Sequence, residues 1–172
     1  MNGHTVPDSP SGPLTFRPLL RRAIWGGTNL ASELDKPSGH LDDCSESWEI
    51  VDLEDDQSVV DGGPFDGWAL QQLVAERGSE LLGRHAPRDS FPLLVKFLDA
   101  TDRLSLQVHP DDAIATRHHP GQRGKTEAWY ILSCRPGSRL WVGLRPGTTP
   151  QQLANALDTG DTAGLVAGTV HD

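Results

Sequence analysis

Between Phe91 and Asp112 the chain reads FPLLVKFLDATDRLSLQVHPDD, and no other stretch restricts the possible fold as tightly. Residues 91–100 are a nearly continuous apolar run, the pattern of a strand covered on both faces. Residues 104–109 then alternate. Leu104, Leu106 and Val108 fall on one side, Ser105, Gln107 and His109 on the other, and Pro110 ends the run. A surface strand would alternate in the same way, so the pattern alone leaves the polar face unassigned. Eighteen glycines and thirteen prolines among 172 residues add many turns, which suit short strands better than long helices.

The other segments extend this reading. Residues 1–13 read as a flexible leader, and a tight bend is expected where Trp25 precedes Gly26 and Gly27. SESWEIVDL (45–53) and DDQSVVDGG contribute strands, the second a short one. Leu70, Leu73 and Val74 recur at helical spacing within residues 67–83, where Gly78 breaks the run and Leu81–Leu82 belong to a second helical turn. The polar loop PDDAIATRHHPGQRG has room for one helical turn after Asp111. KTEAWYILS (125–133) and SRLWVGL (138–144) are strand-like and joined by a turn at Pro136–Gly137. In TTPQQLANALDTG, Thr149 is placed as N-cap, Pro150 at the first helical position and Gly160 at the stop. Short strands with helical excursions predict a mainly β fold, a sandwich or barrel with inserted helices.

A chain of this length suffices for one domain with a sizeable core, or for a piece of a larger one. The net charge of -9 argues against broad attraction to nucleic acid or to an anionic membrane. A few local Lys or Arg residues would still bind a phosphate. No apolar run nears the length of a membrane span. Cys44 and Cys134 are the only cysteines and MNGHTVPDSPSG holds no apolar secretory core, so a reduced, cytoplasmic compartment is expected. Nothing in the residues sets an oligomeric state.

The candidate chemistry gathers on polar strand faces. Gln107 and His109 share one, as do Glu127, Trp129 and Ile131, with Lys125 joining if its strand begins that early. If the two strands are neighbours linked by residues 110–124, Gln107, His109, Lys125 and Glu127 converge. Imidazole, carboxylate and amide oxygen are ligands for zinc or a similar divalent ion, the amide being the weakest donor. A plainer assignment is also open: His-Pro at a strand end is commonly a capped turn, and a Glu opening a strand is commonly solvated. Arg117, His118, His119 and Arg123 read as solvated loop, His40 and His85 have no partner signal, and Trp129, Tyr130 and Trp141 read as packing residues.

The run FPLLVKFLDATDRLSLQVHPDD followed by GKTEAWYIL resembles the type I mannose-6-phosphate isomerases, a zinc-dependent family of cupin fold. AIWGGTNL, ESWEIVD, GWALQQL, LLGRH and GSRLWVGLRPGTTPQQLANAL fall in that family's order and spacing, so the resemblance covers nearly all of residues 15–160. It implies a cupin-type jelly-roll β-barrel with inserted helices over residues 14–172, interconverting mannose 6-phosphate and fructose 6-phosphate. It also implies one Zn2+ ion as cofactor and a small-molecule sugar phosphate as partner, with no nucleic acid or membrane involved. By the same resemblance His109 and Glu127 match zinc ligands, and Gln107 matches a residue that joins the coordination sphere in some members. Lys125 matches a catalytic lysine of the substrate site, and Lys96 and Ser105 match substrate-binding positions. Trp25, Glu46, Trp48 and Glu49 match family positions read as scaffold.

The sequence departs from the family pattern in two places. Ser45 replaces a glycine before the Glu of ESWE, a modest change in a turn. In the family, further barrel strands lead to a GTxHA segment supplying a third imidazole and then to a strand carrying a catalytic arginine, whereas this sequence ends at LVAGTVHD. The barrel is therefore expected to be incomplete at its C-terminus, with edge strands unpaired and part of its core face exposed. About ten residues separate the helix ending at Gly160 from His171, too few for the strand and turn that precede the family motif. His171 is accordingly expected to be a free tail histidine, unless a deletion has fused the two segments. An inactive or regulatory cupin fragment that binds metal or sugar phosphate is the alternative to an active isomerase.

Overall fold

The computed structural model describes residues 12–39 and 42–171, so most of the expected leader and His40 lie outside the described residues. The chain forms two compact units, Met1–Gln107 and Val108–Asp172.

In the first unit, β1 (Phe16–Arg17) pairs antiparallel with β4 (Val59–Val60). A second antiparallel sheet has the order β2 (Leu19–Gly27), β3 (Cys44–Ile50), β5 (Val95–Leu98). Its register sets Glu46 between Arg21 and Leu98, and Trp48 between Leu19 and Lys96. Because side chains alternate with period two, Arg21, Glu46, Trp48 and Lys96 share one face, while Ser47 and Phe97 belong to the other. Cys44 is fully buried in β3, and burial pushes its thiol pKa up, which suits a structural rather than a reactive role.

Gly26 and Gly27 do not make the expected bend. They close β2, where the pairing is irregular between Arg22 and Gly27. A Cβ on Gly26 would lie 2.4 Å from the Asp43 carbonyl oxygen, and one on Gly27 would lie 2.5 Å from an Asp99 carboxylate oxygen. Close approach, not turning, requires glycine here. The nearly buried Asp99 accepts hydrogen bonds from the Asn29 backbone N–H (2.7 Å) and Nδ2 (3.1 Å), fixing the start of α1 (Asn29–Ser32).

α2 (Leu70–Leu82) buries Leu70, Leu73 and Val74, each contributing about 2 kcal/mol of apolar burial. Leu73 packs with Val60 and Phe65, and Leu70 and Val74 pack with Ile50 and Phe91. The helix is interrupted at Arg77 (φ -132°), one residue before the expected breaker Gly78, and resumes to Leu82.

The second unit contains α3 (Asp112–His118), β6 (Ser138–Leu144), α4 (Pro150–Thr159) and β7 (Val166–His171). α4 has the predicted ends. Thr149 Oγ1 accepts from the Gln152 N–H at 3.2 Å, Gln152 Oε1 accepts from the Thr149 N–H at 2.8 Å, and Gly160 closes the helix at φ 75°.

Three strand expectations need correction. Residues 104–109 and 125–133 are not strands, and only four residues of the 91–100 run belong to one. A strand needs a continuous partner for its N–H and C=O groups. Here Lys125 N–H donates to the Pro110 carbonyl at 3.1 Å, but no ladder follows it. Leu93 (61% exposed), Val108 (85%) and Tyr130 (87%) show that these apolar segments are not covered on both faces. Among the described residues the sheets have two, three and two strands, with four α-helices, and do not close into a barrel.

The opposite correction applies at the other end. His171 itself lies in a strand: the turn marked by the Leu165 N–H to Thr162 carbonyl bond (3.0 Å) reverses the chain soon after α4, and the motif GTVH falls within β7, with no separate strand before it among the described residues. β7 then pairs antiparallel with β6, with His171 opposite Ser138, so this histidine belongs to a sheet rather than to a free tail. Among the described residues no helix is long and apolar enough to cross a membrane.

Gly26→Ala should destabilise the chain by about 2 kcal/mol, because its methyl group meets backbone rather than a side chain that can move aside. Thr149→Ala should cost about 1 kcal/mol. Urea denaturation measures both, with Gly12→Ala, in open space, as the silent control.

Candidate active site

Two residues of HPDD bring distant segments together, and a third starts the helix between them. The Asp111 carboxylate accepts from the Ile114 N–H at 2.8 Å and caps α3. The Asp112 carboxylate accepts from the Gly124 N–H at 2.8 Å, and the Pro110 carbonyl accepts from the Lys125 N–H. A Cβ on Gly124 would lie 2.6 Å from both the Asp111 carbonyl carbon and the Asp112 nitrogen. The loop after α3 thus returns onto the backbone that began it, and only glycine fits the closest point.

This closure sets Glu127 beside His109. His109 Nε2 lies 2.5 Å from Glu127 Oε2, and Lys125 Nζ lies 3.5 Å from the same oxygen. His109 and Glu127 are largely covered, whereas the Lys125 side chain is half exposed. Burial pushes the Glu127 carboxyl pKa up. The His109 hydrogen bond, the Lys125 charge and a hydrogen bond with Trp129 outweigh it and hold the group below the ordinary carboxylate range. Trp129, expected only to pack, therefore supports the carboxylate. Its place two residues beyond Glu127 was the available signal.

Imidazole nitrogen and carboxylate oxygen meeting at one point are donors that zinc accepts. Among the described residues no cluster of three or more His, Cys, Asp or Glu side chains forms a metal site. The pair fits a divalent ion in kind and supplies part of a tetrahedral set.

The remaining predicted residues lie in the first unit. Gln107 Nε2 donates to Ser105 Oγ at 3.1 Å, and both side chains are exposed. Lys96 Nζ donates to Glu46 Oε2 at 3.1 Å, and the Trp48 indole N–H donates to the same oxygen at 2.5 Å. The Arg21 guanidinium lies 4.5 Å from the centre of the Trp48 ring. Glu49 faces the other way, accepting from Ser47 Oγ at 2.6 Å and Lys36 Nζ at 2.8 Å. Glu46 and Trp48 were read as scaffold, yet they contact a predicted substrate-binding lysine. Their i, i+2 spacing in ESW placed them on one face, but the β3–β5 register that adds Lys96 was not legible.

A family model, phosphomannose isomerase type I, catalytic domain, matches residues 14–129. The mannose-6-phosphate isomerase ManA of Bacillus subtilis is 39% identical over 150 residues, covering 87% of this chain and 46% of the relative. The mannose-6-phosphate isomerase of Streptococcus mutans is 38% identical over 151 residues, with the same two coverages of 87% and 46%. The crystal structure of the mannose 6-phosphate isomerase from Bacillus subtilis superposes with a TM-score of 0.84 at 32% identity, covering 94% of this chain and 50% of that one. The chain spans about half the length of the relatives it matches.

In the metal-free chain, Glu127 should titrate below the ordinary carboxylate value, measured by its side-chain carboxyl 13C shift. A depressed folded-state pKa stabilises the fold above the unfolded-state pKa, and that stabilisation is lost as pH falls through the depressed value. The stability difference between wild type and Glu127→Gln should therefore shrink on acidification. Gly124→Ala, which wedges the clamp apart, should return the Glu127 titration toward the ordinary value.

Proposed function

The chain belongs to the type I phosphomannose isomerases, and on that premise we propose that it interconverts mannose 6-phosphate and fructose 6-phosphate with the help of a bound zinc ion. The observation that carries this reading is the His109–Glu127–Lys125 cluster, assembled from the two segments QVHPDD and GKTE. In this reading, residues 14–172 contribute to a cupin-type jelly-roll barrel in the cytoplasm, acting on a small sugar phosphate.

Aldose–ketose isomerisation moves a proton between C2 and C1 through a cis-enediol. The site must hold the sugar oxygens, exchange that proton and stabilise a developing oxyanion. Bound zinc would supply Lewis-acid polarisation of the carbonyl. His109 and Glu127 are its proposed ligands, with Gln107 as a weaker amide donor. Lys125 is the proposed catalytic residue, bringing a positive charge and N–H donors to the developing oxyanion. Lys96 and Ser105 bind the sugar phosphate. His171 is the proposed further ligand, a second imidazole beside His109. The motif GTVH lies within β7, whose backbone pairs with β6.

A second reading, a metal- or sugar-phosphate-binding module without turnover, draws on one observation: the described donor set stops at His109 and Glu127. A coupled assay for fructose 6-phosphate formation from mannose 6-phosphate, with zinc and with a chelator, separates the two. Chelator-sensitive turnover is expected. Folded, zinc-loaded chain that binds either sugar phosphate without converting it would favour the second reading. His171→Ala should weaken zinc binding by about tenfold or more, measured by competition with a chelating dye; unchanged affinity would remove His171 from the ligand set.

A further inference from the structure

The sheet face that carries Lys96 is more constrained than a substrate-binding lysine alone requires. An unpartnered lysine on a strand moves through many rotamers on its flexible four-carbon stem. Lys96 instead donates to Glu46 Oε2 at 3.1 Å, with only 21% of the lysine side chain and 15% of the glutamate side chain exposed. The pair is therefore not an ordinary solvated surface bridge. The carboxylate is fixed in turn, since the same oxygen accepts the Trp48 indole N–H at 2.5 Å. The indole lies under the Arg21 guanidinium, and Arg21 is paired with Asp56. Lys96 Nζ also sits 5.8 Å from the Trp48 ring centre. The β2–β3–β5 register puts these groups on one face, so the restraints run Asp56, Arg21, Trp48, Glu46, Lys96.

We propose that Glu46 is a positioning residue: it holds the Lys96 ammonium in one orientation for the sugar phosphate, and the Trp48 indole N–H locks the carboxylate that does so. This rests on the function proposed above, in which Lys96 binds substrate. Glu46 touches no reacting atom. It acts by removing the entropy that Lys96 would otherwise lose on meeting its ligand.

The test is a double-mutant cycle on the full chain, using Glu46→Gln, Lys96→Met and the double variant, with mannose 6-phosphate affinity measured by calorimetry. Glu46→Gln should weaken binding by about five- to twentyfold, the range for losing a charge-assisted contact. Because Glu46 acts through Lys96, the double variant should bind no more weakly than Lys96→Met, within about twofold. Losses that multiply would overturn the proposal, since a merely structural glutamate would weaken binding in either background. A second readout needs no substrate. Lys96 should react about threefold faster with an amine-acylating reagent in Glu46→Gln than in wild type. Lys36 and Lys125, the other two lysines, should react unchanged. Equal Lys96 reactivity would overturn the proposal.

Should Glu46→Gln fail to fold by circular dichroism, Trp48→Phe keeps a ring under Arg21, removes the N–H, and carries the same two expectations at smaller size. Wild type that binds neither sugar phosphate would overturn the functional reading and this proposal with it. Binding with multiplied losses would overturn the proposal alone.

Discussion

The candidate site depends on how closely two stretches of backbone approach at Gly124. Asp112 and Pro110 each accept one N–H from the returning chain, and the contact is too tight for any Cβ. Everything chemical in the second unit follows. Asp111 starts α3, the loop closes on its own origin, and an imidazole separated from a carboxylate by eighteen positions meets it at 2.5 Å. A purely local pattern cannot hold such a pair. The carboxylates of HPDD are thus used twice over, one to begin a helix and one to end its loop.

The first unit solves a similar problem with pleat and register instead of a clamp. An antiparallel ladder places opposite residues side by side on one face. Arg21, Glu46, Trp48 and Lys96 come from three strands and need no loop to hold them together. Apolar burial under α2 stabilises the body that carries the sheet, through Leu70, Leu73 and Val74.

Elements whose signals are local were legible in the sequence. Thr149, Pro150 and Gly160 marked both ends of α4, and the i, i+3, i+4 spacing of Leu70, Leu73 and Val74 marked the buried side of α2. Elements that need a partner were legible only in part: SRLWVGL and SESWEI are strands as expected, but other alternating runs are not. Residues 104–109 and 125–133 have the alternation of strands but lack a continuous ladder, and alternation says only that a chain could pair. At His171 the expected free tail is instead the end of a strand paired with β6, because the chain turns sharply after Gly160. At the site, residue types and spacing left a metal centre and a solvated turn both open for His109, Lys125 and Glu127, and the resemblance carried by QVHPDD and GKTE pointed to the first. The closeness of Glu46 to Lys96 depended on inter-strand register, which no single segment encodes.

One local device occurs in both units. Glu46 and Trp48, like Glu127 and Trp129, are two positions apart: the Trp48 indole N–H donates to Glu46 at 2.5 Å, and Trp129 helps to hold the Glu127 carboxyl below its ordinary range. An indole's emission responds to the charge and hydrogen bonding at its ring nitrogen. The molecule therefore carries a native optical probe at each of its two polar clusters, and with the other three tryptophans, Trp25, Trp68 and Trp141, replaced, variants keeping Trp48 or Trp129 alone would report on Glu46 or Glu127 without any added label.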